Sequence, residues 1–283
     1  MNPEKITIPE ILNRKKTGRK IIALTAYDYT FSKIVDQVGI DLLLVGDSMA
    51  MVAMGYENTL PVTMDEMIHH TRAVKRGVSK ALVVGDMPFM SYQVSNEQAV
   101  TNAGRFIKEG GASAVKLEGG IRSAERIQAI TESGISVMGH IGLTPQSVHQ
   151  FGGYKVQGKN DLDARQIKKD ATELQKAGAF SLVLEGIPME LACEITASLG
   201  IPTIGIGAGP HCDGQILVLH DILGLNMDFV PKYVRVFDDL GSRMKKAIDA
   251  YAQSVRSGEF PDKEHSYRLR PEPSCKVPKT KVG

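Results

Sequence analysis

The chain has 283 residues, 42% of them hydrophobic and 23% charged, a balance typical of globular proteins and long enough for one large α/β barrel or two smaller domains. The formal charge is only +2, and residues 265–283 contribute +4 through Arg268, Arg270, Lys276, Lys279 and Lys281 against Glu272, which leaves the body at −2. That excludes the basic field that nucleic-acid binding needs.

No apolar run approaches the roughly 18 residues of a membrane span. Cys193, Cys212 and Cys275 have no paired spacing, which excludes a disulfide framework and fits a reducing, cytoplasmic setting. The N-terminus, with Pro3, Glu4 and Pro9 where a signal peptide needs an apolar core, reads as mature.

In chain order, an apolar run at residues 21–25 comes first. Phe31, Ile34, Val35 and Val38 then follow helical spacing up to Gly39, a C-cap glycine. A buried-strand run at 42–45 ends at Gly46-Asp47-Ser48. The same pattern recurs. Thr63 and Glu66 form a capping-box match that opens a helix to Gly77, followed by a strand at 81–84 and then Gly85-Asp86. Ser95 and Gln98 open a helix to Gly110 before a strand at 114–118. A helix around 127–131 ends at Gly134 before a strand at 135–138 and Gly139-His140. Helices from about 164 to Gly178 and from 188 to Gly200 precede strands at 182–184 and 203–206. A short eighth strand is expected at 228–230.

Eight strands alternating with helices predict a single-domain (β/α)8 TIM barrel over residues 1–264, with a short N-terminal helix. A doubly wound open sheet is the weaker alternative, because the early G-x-G-x-x-G is absent. Residues 265–283, with Pro271, Pro273 and Pro278, read as a flexible basic tail. Arg14, Lys15, Lys16, Arg19 and Lys20 read as a solvated helix end.

The strand runs are apolar until their C-terminal ends, where Asp28, Asp47, Asp86, Glu118, His140 and Glu185 stand. In an eight-fold barrel these ends converge on the active-site mouth. Any one acid alone reads equally well as a helix cap; six ionisable residues at one topological position point to chemistry. Lys116 and Glu118 are two apart, so the pleat sends both to one face, into the barrel, while Val115 and Leu117 face the helices. A structural Lys–Glu pair is the plainer reading of these two. Asp47, Asp86 and Glu118 together suit a hard cation such as Mg²⁺. Spacing leaves Lys116 open between holding a substrate carboxylate and forming a Schiff base.

Other motifs are weaker. The glycine string at 205–209 suits a phosphate cradle or a tight turn. His211-Cys212-Asp213 and His69-His70 lack the partners or the spacing of a zinc site. His140 has no serine or C-x-x-C partner for a hydrolytic triad.

These residues fall within a longer set of motifs: Thr25-Ala-Tyr-Asp28, Val45-Gly-Asp-Ser48, Thr59-Leu-Pro-Val-Thr63, Asp86-Met-Pro-Phe89, Val115-Lys-Leu-Glu-Gly-Gly120, Gly139-His-Ile-Gly-Leu-Thr-Pro-Gln146, Gly152-Gly-Tyr-Lys-Val-Gln-Gly158, Gly205-Ile-Gly-Ala-Gly209 and Asp213-Gly-Gln215. In this order, from about residue 7 to Ser266, they resemble ketopantoate hydroxymethyltransferase.

The resemblance implies transfer of a hydroxymethyl group from 5,10-methylenetetrahydrofolate to 3-methyl-2-oxobutanoate, giving 2-dehydropantoate on the route to pantothenate and coenzyme A. It implies Mg²⁺ on Asp47 and Asp86, one per subunit, with Glu118 in or just behind the shell. It also implies Asp47, Ser48, Asp86 and Lys116 on the oxo acid, Glu185 as proton acceptor, His140 behind them, and a cytoplasmic homodecamer acting on small molecules. The competing expectations are a metal-dependent lyase of the phosphoenolpyruvate mutase and isocitrate lyase type, disfavoured by the missing Lys-Lys-Cys-Gly-His run, and a catalytically inactive oligomeric barrel.

Overall fold

A computed structural model describes residues 5–226 and 230–268. The chain opens with α1 (Ile8–Thr17), β1 (Ile21–Thr25), α2 (Tyr29–Val38), β2 (Leu42–Val45) and the single turn α3 (Met49–Val52). It continues through α4 (Met64–Gly77), β3 (Leu82–Asp86), α5 (Asn96–Arg105), β4 (Ala114–Glu118), α6 (Ala124–Glu132) and β5 (Val137–Gly142). Then follow the short α7 (Val148–Phe151), α8 (Asp161–Lys176), β6 (Ser181–Glu185), α9 (Met189–Ser198), β7 (Thr203–Ile206), β8 (Gly214–Leu217), α10 (Leu219–Ile222) and α11 (Leu240–Ser257).

The eight strands pair in parallel in sequence order, and β8 closes on β1, giving the expected (β/α)8 barrel. The helix boundaries rest on local chemistry. Asp28 caps α2 by accepting from Phe31 N–H, and Gly39 ends it with φ 91°. Thr63 and Glu66 form the complete capping box of α4.

Strand parity sorts the core. Leu42, Leu44, Leu82, Val84, Met138, Val183 and Ile204 fill the barrel, whereas Leu43, Val45, Val83, Val115, Leu117, Leu182 and Leu184 pack under the helices. Gly85 faces outward where Phe106 lies so close that a Cβ would sit 2.2 Å from the ring.

Two expectations need correction. The eighth strand is Gly214–Leu217 and not 228–230, of which residues 228 and 229 lie outside the described chain. Only residues 207–213 separate it from β7, with no helix between, so the strand–helix–glycine pattern is missing just where the barrel closes. The basic cluster is also not simply a solvated helix end. Ile11 of α1 plugs the N-terminal end of the barrel among Ile21, Leu42 and Leu82. Arg14, buried, pairs with Glu10 and Asp41. Lys15 reaches Asp213 at 2.8 Å, and Lys20 donates to the Cys212 carbonyl at 2.6 Å. The tail from 269 onward lies outside the described residues.

Candidate active site

Asp47, Ser48, Asp86, Lys116, Glu118, His140 and Glu185 all line one cavity of about 60 Å³ at the C-terminal mouth of the barrel. Asp28 does not join them; it caps α2, the plainer of its two readings. Parallel register sets Asp86 beside Lys116 and Glu118 beside His140. As parity predicts, Lys116 and Glu118 point inward and are buried.

The Lys116 ammonium donates to Asp86 Oδ1 at 2.6 Å and lies 3.6 Å from Glu118 Oε1. Burial disfavours its charge, but Asp86, Glu118 and Asp47 outweigh that and raise its pKa. The second Asp86 oxygen accepts the Asp47 backbone N–H at 3.0 Å. Burial pushes the Asp47 carboxyl well above the usual range, and nearby Asp86 and Glu118 add to the effect. For Glu118 burial pulls the same way, but Lys116 and His140 prevail and hold its pKa down.

His140 bridges two acids, with Nδ1 3.4 Å from Glu118 Oε1 and Nε2 3.2 Å from Glu185 Oε2. Burial and Lys116 oppose its protonation, yet the two carboxylates win and hold its pKa at about 9. The imidazolium thus faces Glu185, whose side chain remains 12% exposed toward the mouth. At Gly142 the close approach of β5 to β6 requires glycine: φ is 94°, and a Cβ would lie 2.3 Å from the Glu185 carbonyl oxygen.

Three further residues complete the site. Gln146 donates from Nε2 to Asp47 Oδ2 and to the Met87 carbonyl, and from its backbone N–H to Glu118 Oε2. The Tyr92 hydroxyl donates to Gln146 Oε1 at 2.8 Å and accepts from Glu118 N–H at 3.1 Å. The Tyr27 hydroxyl meets Ser48 Oγ at 2.8 Å. None of the three ends a strand run with an ionisable group, so the pattern of charged strand ends passes over them. Tyr27 and Gln146 have one sequence signal, membership of the motifs quoted above, and Tyr92 lies outside those motifs.

The weaker candidates have structural roles. Gly207 and Gly209 pack against Tyr233 and Met189. Asp213 accepts from Thr203 N–H and pairs with Lys15, and His70 meets the Tyr27 carbonyl. Among the described residues no three of His, Cys, Asp and Glu are grouped as a ready-made metal cage. Asp47 and Asp86 form a carboxylate pair, and Mg²⁺ commonly takes only one or two carboxylates from a protein. Asp47, Asp86 and Glu118 crowd three acids around Lys116 in this cavity, with His140 engaged by Glu118 and Glu185. The donor set therefore fits a hard divalent cation.

Fold and site together define a (β/α)8-barrel enzyme with a carboxylate–lysine centre at its mouth. The sequence profile of ketopantoate hydroxymethyltransferase matches residues 5–263, and the chain belongs to that family. A 3-methyl-2-oxobutanoate hydroxymethyltransferase from Thermoanaerobacter sp. (strain X514) is 58% identical over 266 residues, covering 94% of this chain and 97% of the relative. The enzyme of that name from Syntrophus aciditrophicus (strain SB) is 57% identical, covering 93% and 97%.

Among solved structures, phosphonopyruvate hydrolase in complex with oxalate and Mg²⁺ superposes with a TM-score of 0.61 at 12% identity, covering 92% of this chain and 93% of that one. A 2,3-dimethylmalate lyase of the phosphoenolpyruvate mutase/isocitrate lyase superfamily gives 0.59 at 15%, covering 93% and 90%. At such identity the likeness is one of fold.

Proposed function

We propose that this chain moves the one-carbon unit of 5,10-methylenetetrahydrofolate onto C3 of 3-methyl-2-oxobutanoate, with water supplying the hydroxyl oxygen. Tetrahydrofolate and 2-dehydropantoate are the products, and the step commits carbon to pantothenate and coenzyme A in the cytoplasm. The observation that carries this reading is the partly open Glu185 carboxylate, backed by His140, at the edge of a cavity that also holds Lys116, Asp47 and Asp86.

The C3 proton of the oxo acid is acidified by the neighbouring ketone, and Glu185 is the acid not tied to the lysine–aspartate cluster. Asp47 and Asp86 would hold Mg²⁺, which when bound polarises the keto oxygen and stabilises negative charge developing at C3. Glu118 stands behind them, its carboxylate turned to Lys116, His140 and the Gln146 N–H. Lys116 faces the substrate carboxylate as a cation. An ammonium already paired with Asp86 lacks the free lone pair that a Schiff base requires. Ser48, oriented by Tyr27, offers a hydroxyl to the same oxygens.

Glu185 takes the C3 proton, and the imidazolium of His140 steadies the carboxylate before transfer and the carboxyl after it. Water takes over the methylene unit as both of its C–N bonds break and tetrahydrofolate leaves, and the carbanion forms the new C–C bond to this formaldehyde-level carbon, whose oxygen takes up a proton to become the hydroxyl. A homodecamer of such barrels is part of the same reading.

The test is turnover. Purified protein with both substrates and Mg²⁺ should form 2-dehydropantoate, and exhaustive chelation should stop it until Mg²⁺ is restored. No product from the loaded enzyme would sink the proposal, and full activity after chelation would remove the metal from it.

A further inference from the structure

A second and larger cavity, of about 280 Å³, lies beside the catalytic one. It sits between the segment after β3, the first turn of α6 with the turn before it, and the segment after β5. Phe89, Gln93, Arg122, Arg126 and Ser147 line it, and Glu118 lines both cavities. The buried, hydrogen-bonded Tyr92 and Gln146 also line the larger cavity.

Arg122 and Arg126 are four apart on consecutive helical turns, so they share a face. Arg122 makes no hydrogen bond or ion pair among the described residues. Arg126 meets the exposed Glu125 at 3.1 Å and the Gln93 carbonyl at 3.5 Å and lies near enough to Glu97 to help lower its pKa, and exposed pairs of that kind contribute little. Two guanidinium forks with spare donors in a concavity suit carboxylates. Phe89, 39% exposed, adds a flat apolar surface. Glu118, the acid nearest this cavity, is already engaged by Lys116 and the Gln146 N–H, so it does little to repel an anion.

We infer that this second cavity receives the p-aminobenzoylglutamate arm of the reduced folate, with the glutamate carboxylates on Arg122 and Arg126 and the benzoyl ring on Phe89. The inference rests on the reading that a folate is the one-carbon donor. The volume lies at the lower edge of the ~300–1,000 Å³ usual for small-molecule sites, the size of an arm and not of a whole folate. The carbon to be transferred sits at the junction of arm and pterin, and Glu118, common to both cavities, sets that junction toward the catalytic mouth.

Steady-state kinetics with two donors test this: 5,10-methylenetetrahydrofolate, and 5,10-methylenetetrahydropteroate, which lacks the glutamate. Wild type should show a KM about 10- to 100-fold lower for the folate, as expected for hydrogen bonds to charged groups. Arg122→Ala/Arg126→Ala should raise the folate KM to the pteroate value. Its KM for 3-methyl-2-oxobutanoate and its folate-free exchange of the C3 hydrogen in D₂O should remain at wild-type level.

A double variant that keeps the wild-type preference for the folate overturns the inference while leaving the reading intact. A variant that also loses C3 exchange overturns it too, because the arginines then serve the oxo-acid site or the fold. Wild type that uses neither donor removes both the reading and the inference.

Discussion

Glu185 carries the sharpest prediction at the scale of single residues. Its carboxylate sits 3.2 Å from an imidazole held protonated near neutrality, outside the lysine–aspartate cluster. Glu185→Gln keeps the shape and removes the base, so turnover should fall about 10²–10⁴-fold while the oxo acid still binds. In D₂O without folate, wild type should exchange the C3 hydrogen, seen by NMR as collapse of the methyl doublet. The Gln variant should exchange far more slowly, and exchange at the wild-type rate would rule out Glu185 as the base. Residue identity made much of this site legible, because acids and a lysine at the ends of apolar runs are costly unless something binds them. Gln146 and Tyr92 were not legible in that way. They are uncharged, they sit in loops, and they become part of the site only when β3, β4 and β5 stand side by side.

Helices and strands show how buried polar groups fix the joints between elements. Asp36 of α2, buried, accepts four hydrogen bonds from the turn between α4 and β3: Ser79 N–H and Oγ–H, Lys80 N–H and Ala81 N–H. Burial favours its neutral form, but these donors outweigh burial and lower its pKa. A carboxylate whose folded pKa is depressed stabilises the fold fully above its unfolded pKa, and that contribution is lost as pH falls through the folded value. Asp36→Asn places an amide N–H₂ against donors and should cost about 1–3 kcal/mol at neutral pH. Denaturant titrations should show the gap between wild type and variant narrowing below about pH 4. A gap independent of pH would mean that the charge contributes nothing. The first seven strands and the helices between them were readable because period-2 and period-3.6 patterns, caps and glycine stops are local. β8 was not, because a four-residue strand with Gln215 exposed and no helix before it carries almost no local signal.

For the whole molecule, α11 stands out among the described residues as a long helix with little packed against it. It buries none of its residues, and Met244, Ile248, Tyr251 and Val255 form a stripe in which Ile248 is 63% and Tyr251 60% exposed. A stripe of that spacing is the face a helix normally packs, and exposed apolar patches mark association surfaces. If the chain assembles as proposed, this stripe is the face expected at a subunit contact. Ile248→Glu should therefore give a smaller species by light scattering at unchanged helical circular dichroism, and an unchanged mass would place the contacts elsewhere.

By itself the sequence determined the barrel class, the approximate positions of seven strands (the fifth runs Val137–Gly142 and not 135–138), the inward face of Lys116 and Glu118, and the family. These follow from short-range periodicity and from motifs in order. Tertiary structure alone decided which strand closes the barrel, that Ile11 and Arg14 plug its floor, that Asp28 caps a helix while Asp47 and Asp86 face the cavity, and that Arg122 and Arg126 flank a second one. Apart from the local Asp28 cap, those outcomes depend on contacts between segments far apart in the chain, such as the β1–β8 pairing and the packing of Ile11 against Ile21, Leu42 and Leu82.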